Sequence, residues 1–276
     1  MNFDREKLIK DSKEIRKIVL KMSLAAGKTG AHLGGSMSCI EILTVLFSDF
    51  IKLDRSGTDA EERDRFILSK GHAAPTYYAV LNKKGLISDE LIETFKNNGS
   101  LLTGHPSVNE ETAKLGIECS TGSLGQGISF AAGVAYALKL KKNSSSKVYV
   151  LLGDGECNEG SVWEAVMSAA HYKLDNLCII IDKNQLQYDG KTEDVMNMGN
   201  LEEKFKAFGC ETRVVDGHNV EELYRAFEHI PDEKPYVVIA DTVKGKGVSF
   251  AEGVASWHHS ILTNELYEKA IDELGD

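Results

Sequence analysis

Two short runs, VYVLL at 148–152 and LCIII at 177–181, are apolar at every position, and each ends abruptly in a polar turn. A strand with only one buried face would alternate apolar with polar residues, so runs like these predict strands covered on both faces, as in a parallel sheet. Between them, residues 160–172 carry a helical pattern. Further along, residues 202–208 read as a helix capped by Gly209, and 212–215 and 236–240 read as strands. Asn219 with Glu222 gives a capping-box start to a helix between those strands. The polar stretch from Asn184 to about Asn200 shows no period and reads as a long loop. Strand and helix therefore alternate, which predicts a doubly wound α/β fold: a mostly parallel sheet with helices on both faces. Ligands in such sheets bind beyond the carboxyl ends of the strands.

The first half is mainly helical. Apolar positions recur at helical spacing between Phe3 and Ala26. A second helix is expected over 39–50, a third over 73–81, and a fourth after Ser88, where Asp89 and Glu90 favour a helix start. Four prolines in 276 residues mark no linker, so residues 1–276 are read as a single domain.

Net charge is −10, which disfavours a phosphate-backbone partner such as nucleic acid. The five cysteines are scattered and odd in number, with no CxxC pair; they suggest neither a disulfide framework nor a zinc knuckle and fit a reducing cytoplasm. No run approaches the roughly 20 apolar residues of a membrane helix, so no membrane association is expected.

The segment GDGECNEG (153–160) follows the first apolar run, and Asn184 follows the second, 30 residues after Asp154. Neighbouring parallel strands would bring Asp154 and Asn184 together at their carboxyl ends. A carboxylate, an amide oxygen and a main-chain carbonyl, that of Leu186, then make a hard-oxygen site for Mg²⁺, Ca²⁺ or Mn²⁺, completed by diphosphate oxygens. Gly153 and Gly155 let the backbone turn close to phosphates. Alone, GDG is only a turn after a strand; the spacing and the strand context give it weight. Gly27, Lys28 and Thr29 spell the end of a P-loop, but Met22 stands where its first glycine belongs. GSLGQG (122–127) lacks the GxGxxG order, and Gly245 with Gly247 decides nothing. Four histidines sit in Gly-, Ser- or Pro-rich turns: His32, His72, His105 and His258.

Taken in order, GAHLGGS, FILSKGHA, LTGHPS, STGSLGQGIS, LGDGECNEGSVWEA, NLCIIIDKNQLQYDG and the WH of SWHHS resemble the N-terminal half of transketolase from about residue 10 to 272. The resemblance implies a thiamine diphosphate-binding fold in which this chain holds the diphosphate and metal. It implies Asp154 and Asn184 as side-chain metal ligands with Leu186 as a main-chain one. Gly122, Ser123 and Leu124 would lie near the cofactor rings, His72, Gly153 and Gly155 near the diphosphate, and His32, His105 and His258 towards the substrate. Glu159 matches a carboxylate at the family's subunit contact, or is an ordinary helix N-terminal acid; Asp182 matches a supporting residue behind the metal loop.

Two departures stand out. Whole transketolases continue with a pyrimidine-binding domain and a C-terminal domain, whereas this chain ends at Asp276. His259 follows His258, where the family commonly has glycine. The resemblance therefore implies a partner, a C-terminal transketolase subunit carrying the pyrimidine-binding domain, in a two-plus-two hetero-oligomer acting on sugar phosphates by two-carbon ketol transfer. The alternatives are the diphosphate-binding half of a deoxyxylulose-phosphate synthase-like or 2-oxo acid decarboxylating enzyme, and a non-catalytic regulatory subunit on the same fold.

Overall fold

In a computed structural model describing residues 3–53, 63–141, 145–229 and 231–275, the apolar runs form the centre of a five-stranded parallel sheet. Its strands are β1 (Arg65–Leu68), β2 (Val148–Gly153), β3 (Leu177–Lys183), β4 (Glu211–Asp216) and β5 (Tyr236–Asp241), in the order β1-β2-β3-β5-β4. Register is continuous across the centre, with Val150 opposite Ile179 and Ile179 opposite Val237.

The helices are α1 (Arg5–Ala25), α2 (Leu33–Met37), α3 (Ile40–Val45), α4 (Ala74–Lys83), α5 (Asp89–Glu93), α6 (Glu110–Lys114), α7 (Gly127–Leu140), α8 (Gly160–His171), α9 (Thr192–Met196), α10 (Leu201–Ala207), α11 (Val220–Glu228) and α12 (Asn264–Leu274). Side chains alternate between the two sheet faces, which explains why the runs are apolar throughout. Tyr149, Leu151, Cys178, Ile180 and Val238 join the core under α1, α3, α4 and α11. Val150, Leu152, Ile179, Ile181 and Val237 join a second core under α7, α8 and α10. Ile180 is fully buried, and truncating it to alanine would cost about 2–5 kcal/mol.

Helix starts follow the expected chemistry. Ser88 caps α5 by accepting from Leu91 N, and Asn219 caps α11 by accepting from Glu221 N and Glu222 N. Glu222 turns its carboxylate to Asp216 N and to the Asn219 amide, so only half of the anticipated box forms. Gly209 lies one residue past the Phe208 cap of α10, at φ 94°. The stretch read as a loop from Asn184 to Asn200 contains α9, which corrects that reading. Five residues are too few to show a helical period, and α9 is pinned instead by a side chain, with Thr192 Oγ1 donating to Asp154 Oδ2 at 3.0 Å.

All five strands end on the same side. Lys70 and His72 follow β1, Asp154 follows β2, Asn184 follows β3, His218 follows β4, and Thr242 and Lys244 follow β5. The strand order doubles back at β4 and β5, and the cleft opens beyond β2, β3 and β5.

Candidate functional site

A cavity of about 450 Å³ lies at those strand ends, lined among others by Asp154, Asn184, Leu186, Thr192, Thr242 and Lys244. Its size suits a small-molecule ligand. The three expected oxygen ligands thus share one cavity, as their spacing predicted. Asp154 is buried. Its Oδ1 accepts from Gly155 N at 2.9 Å, and its Oδ2 from Gln185 N at 2.8 Å and from Thr192 Oγ1. Burial and then the nearby Asp182 raise its pKa, partly offset by those donors. Asn184 gives its amide N–H to Asp182 Oδ2 at 3.1 Å and receives Leu186 N on Oδ1 at 3.1 Å. Gln185 between them holds a left-handed φ of 63°, a strained conformation for a non-glycine residue that is common in ligand loops.

The Leu186 carbonyl is engaged by a residue the sequence reading passed over. Lys244 Nζ donates to Leu186 O at 2.9 Å and to Gln187 O at 3.2 Å, and meets His258 Nδ1 at 2.9 Å. Burial, then the neighbouring Lys70, lower its pKa to about 8. A cation of the chain's own therefore stands on the carbonyl expected to hold a metal. The only signal in the sequence was its place in TVKGKG, just past a strand end.

The donor set of carboxylate, amide oxygen and main-chain carbonyl fits a hard divalent cation. One buried polar atom next to Gly155, Gln187 Nε2, has no protein partner and is free to bond an anionic ligand. Gln187 packs against Gly155, where an added Cβ would come within 2.8 Å of Gln187 Cγ. A diphosphate with its metal fits this chemistry.

The floor of the cavity is a buried ionic network. Lys70 pairs with Asp182, with both side chains essentially inaccessible. Asp182 also accepts from Ser38 Oγ at 2.6 Å, from Thr242 Oγ1 and from the Asn184 amide. Burial opposes its ionisation, but Lys70 outweighs that and keeps its pKa low. Asp182 thereby fixes which end of the Asn184 amide faces away from the floor. Glu156, inside GDGECNEG but not singled out from sequence, accepts from Ser69 Oγ, from Gly125 N at 2.8 Å and from Gly153 N at 3.1 Å. It ties the ends of β1 and β2 to the 122–127 turn.

The four expected histidines also converge, and His259 joins them. The His32 ring lies 5.5 Å from His72, 5.4 Å from His105, 5.4 Å from His258 and 4.6 Å from His259, centre to centre. His72 and His258 are 5.1 Å apart. Burial first, then the positive charges and imidazoles around them, lower these pKa values: His32 to about 3, His258 to about 4, His72 far below its usual value, and His105 and His259 in the same direction. At neutral pH these rings are uncharged. Lys96 Nζ, donating to Gly30 O at 2.7 Å and Thr29 O at 3.1 Å, contributes to that field and was not foreseen.

Gly122 lies beside the cluster at a positive φ of 152°, where an added Cβ would stand only 3.3 Å from His105 Cδ2. Ser123 is exposed and Leu124 half-buried. Glu159 is exposed at the N-cap of α8, against Gly125.

Fold and cleft together define an α/β protein built to hold a phosphorylated ligand at its strand ends. Residues 10–275 match the family described as transketolase, thiamine diphosphate binding domain. The chain is 42% identical over 269 residues to an apulose-4-phosphate transketolase subunit of Phocaeicola vulgatus, covering 97% of this chain and 92% of that one. It is 39% identical over 258 residues to human transketolase, covering 92% of this chain and 41% of that one. The solved transketolase of Campylobacter jejuni superposes with a TM-score of 0.89 at 30% identity, covering 99% of this chain and 43% of that one. The chain belongs to the transketolase family and carries its thiamine diphosphate binding domain. Among the described residues no helix is long and apolar enough to cross a membrane.

Proposed function

We propose that residues 1–276 act as one unit, the diphosphate-binding subunit of a split transketolase in the cytoplasm. A partner subunit carrying the pyrimidine-binding domain would complete it, two copies of each, to move a two-carbon ketol unit from a ketose phosphate to an aldose phosphate. The observation that carries this reading is the convergence of Asp154, Asn184 and Leu186 in one cavity beside His32, His72, His105 and His258. The Phocaeicola relative, itself named as one subunit of an apulose-4-phosphate transketolase, supports the need for a partner and suggests a phosphorylated ketose.

Asp154, Asn184 and the Leu186 carbonyl would hold Mg²⁺, with Ca²⁺ or Mn²⁺ able to replace it, and Lys244 would move its charge to the diphosphate as the metal takes the carbonyl. Gly153, Gly155 and His72 would border the diphosphate. Gly122, Ser123 and Leu124 would border the rings, and Glu159 would meet the partner. Thiamine diphosphate, when bound, would supply the electron sink needed for breaking and making the carbon–carbon bond.

This chain's histidines manage protons around it. Lys244 donates to His258 Nδ1, which leaves the proton of neutral His258 on Nε2 and makes that nitrogen a hydrogen-bond donor. His32, uncharged at the centre of the cluster, would accept a hydrogen bond from the donor hydroxyl and orient it. His72 would steady developing charge and His105 would orient the two-carbon fragment.

Reconstitution tests this reading. The two subunits together, with thiamine diphosphate and Mg²⁺, should transfer ketol units from a ketose phosphate, and neither alone should. Turnover of pyruvate without use of ketose phosphate would overturn it, as would full activity of this chain by itself.

A further inference from the structure

Behind the cleft lies a hydrogen-bonded relay that the proposed chemistry does not use. His218 sits just past β4, where Gly217 N donates to Asp241 O at 2.8 Å and a Cβ on Gly217 would come within 2.4 Å of Thr242 Cγ2. The close approach seats the His218 ring against the end of β5. Val243 N donates to His218 Nε2 at 2.8 Å. A main-chain N–H can only donate, so Nε2 accepts and the ring proton is on Nδ1, 2.9 Å from Glu41 Oε2. Glu41 is buried in α3, and its other oxygen receives Arg16 Nη2 of α1 at 2.6 Å. Arg16 Nε in turn donates to Lys246 O at 3.0 Å. Burial opposes ionisation of Glu41, and Arg16 with His218 outweighs it, so the relay keeps a charged centre.

The relay grips strap 243–247 at two points, Val243 N and Lys246 O. Lys244 lies between them, its stem packed where a Cβ on Gly34 would be 3.0 Å away and its ammonium on Leu186, Gln187 and His258. Gly245 N donates to Gly34 O at 3.0 Å from the cleft side, and Gly247, at φ 90°, leaves room for Arg16. We propose that His218, oriented by Glu41 and Arg16, is a positioning residue for the diphosphate cleft, acting through the strap to set where the Lys244 ammonium stands. The inference rests on the reading of the cleft as the cofactor site.

The test uses the full chain with its partner subunit, H218A, K244M and their combination, read by calorimetric titration with thiamine diphosphate and Mg²⁺. H218A should weaken binding about tenfold, the usual size of an effect through an outer partner of a ligand-holding group. In the K244M background the same change should cost nothing further, because two residues acting through one contact are not additive. H218Q, whose amide oxygen can accept from Val243 N, should recover part of the loss. Unaltered affinity in H218A, or a loss that adds in full to that of K244M, would overturn the proposal. Hydrogen exchange of strap 243–247 in the chain without cofactor supplies a second readout: H218A, or E41Q should H218A not fold, should speed it, and unchanged exchange rejects the relay whatever the cofactor does. No thiamine diphosphate binding by the wild-type complex, together with faster strap exchange in H218A, would reject only the cofactor reading.

Discussion

At the ends of β2 and β3 the acidic and amide groups are already supplied with donors from the protein, whereas the imidazoles farther along the cleft are crowded by one another and by lysines. Asp154 holds three donors and Asp182 a lysine, two hydroxyls and an amide. His32 instead touches four other rings. The difference teaches how one cleft meets two chemical needs. At one end the acidic and amide groups are fixed by hydrogen bonds, and at the other the imidazoles are kept neutral by burial and by surrounding positive charge.

The contrast can be broken from either side. The largest effect is expected at the floor. Lys70→Met would leave Asp182 charged and unpaired in the interior, a loss of about 3–5 kcal/mol. Chemical denaturation measures it, and a change below about 1 kcal/mol would mean that the network is not holding the strand ends. Next, Asp154→Ala should weaken metal-dependent thiamine diphosphate binding on the order of 100-fold, comparable to removing a charged partner worth ~1.5–3 kcal/mol. Unchanged affinity in a titration would remove the site. At the other end, His105→Asn should raise the donor KM about tenfold, roughly 1.4 kcal/mol, and leave cofactor affinity alone. A pure cofactor defect would reassign that ring.

The smallest effect concerns pH, where the two ends should oppose each other. The unfolded histidines bind protons below about 6.5, but folded His32 and His258 do so only near 3 and 4, so stability falls as pH drops from 6.5 towards 4. Asp154 and Glu156, with raised values, favour the folded state only when protonated, so their contribution is lost as pH rises through those raised values. Melting temperatures between about pH 7.5 and 5 should therefore decline, and the NMR signals of His32 and His258 should remain those of neutral rings at about pH 5.5. Protonation of His32 near pH 6.5 would show that the crowding has no electrostatic consequence.

Much of the convergence at the ends of β2 and β3 was legible beforehand. Asp154 and Asn184 each lie one step past an apolar strand, and adjacent parallel strands leave little choice about where such residues meet. The histidines were different: each turn looked ordinary alone, and only the family resemblance tied them together. Lys70, Glu156, Lys96 and Lys244 were missed because a lysine or acid in a loop reads as a solvated surface group until its partners are known, and Thr192 because its helix is too short to show a period. The half-formed box at Asn219 failed for a similar reason, since Glu222 finds a better donor in Asp216 N.

The sequence by itself determined the elements whose cause is local: strands apolar on both faces, helix starts at Ser88 and Asn219, and acid and amide at consecutive strand ends. Only the tertiary structure decided which loops share a cleft and what charge each side chain carries there. Proton affinity depends on burial and on neighbours distant in the chain. The ring at His32 and the ammonium at Lys244 owe their chemistry to groups more than 60 residues away, such as Lys96 for the one and Lys70 for the other.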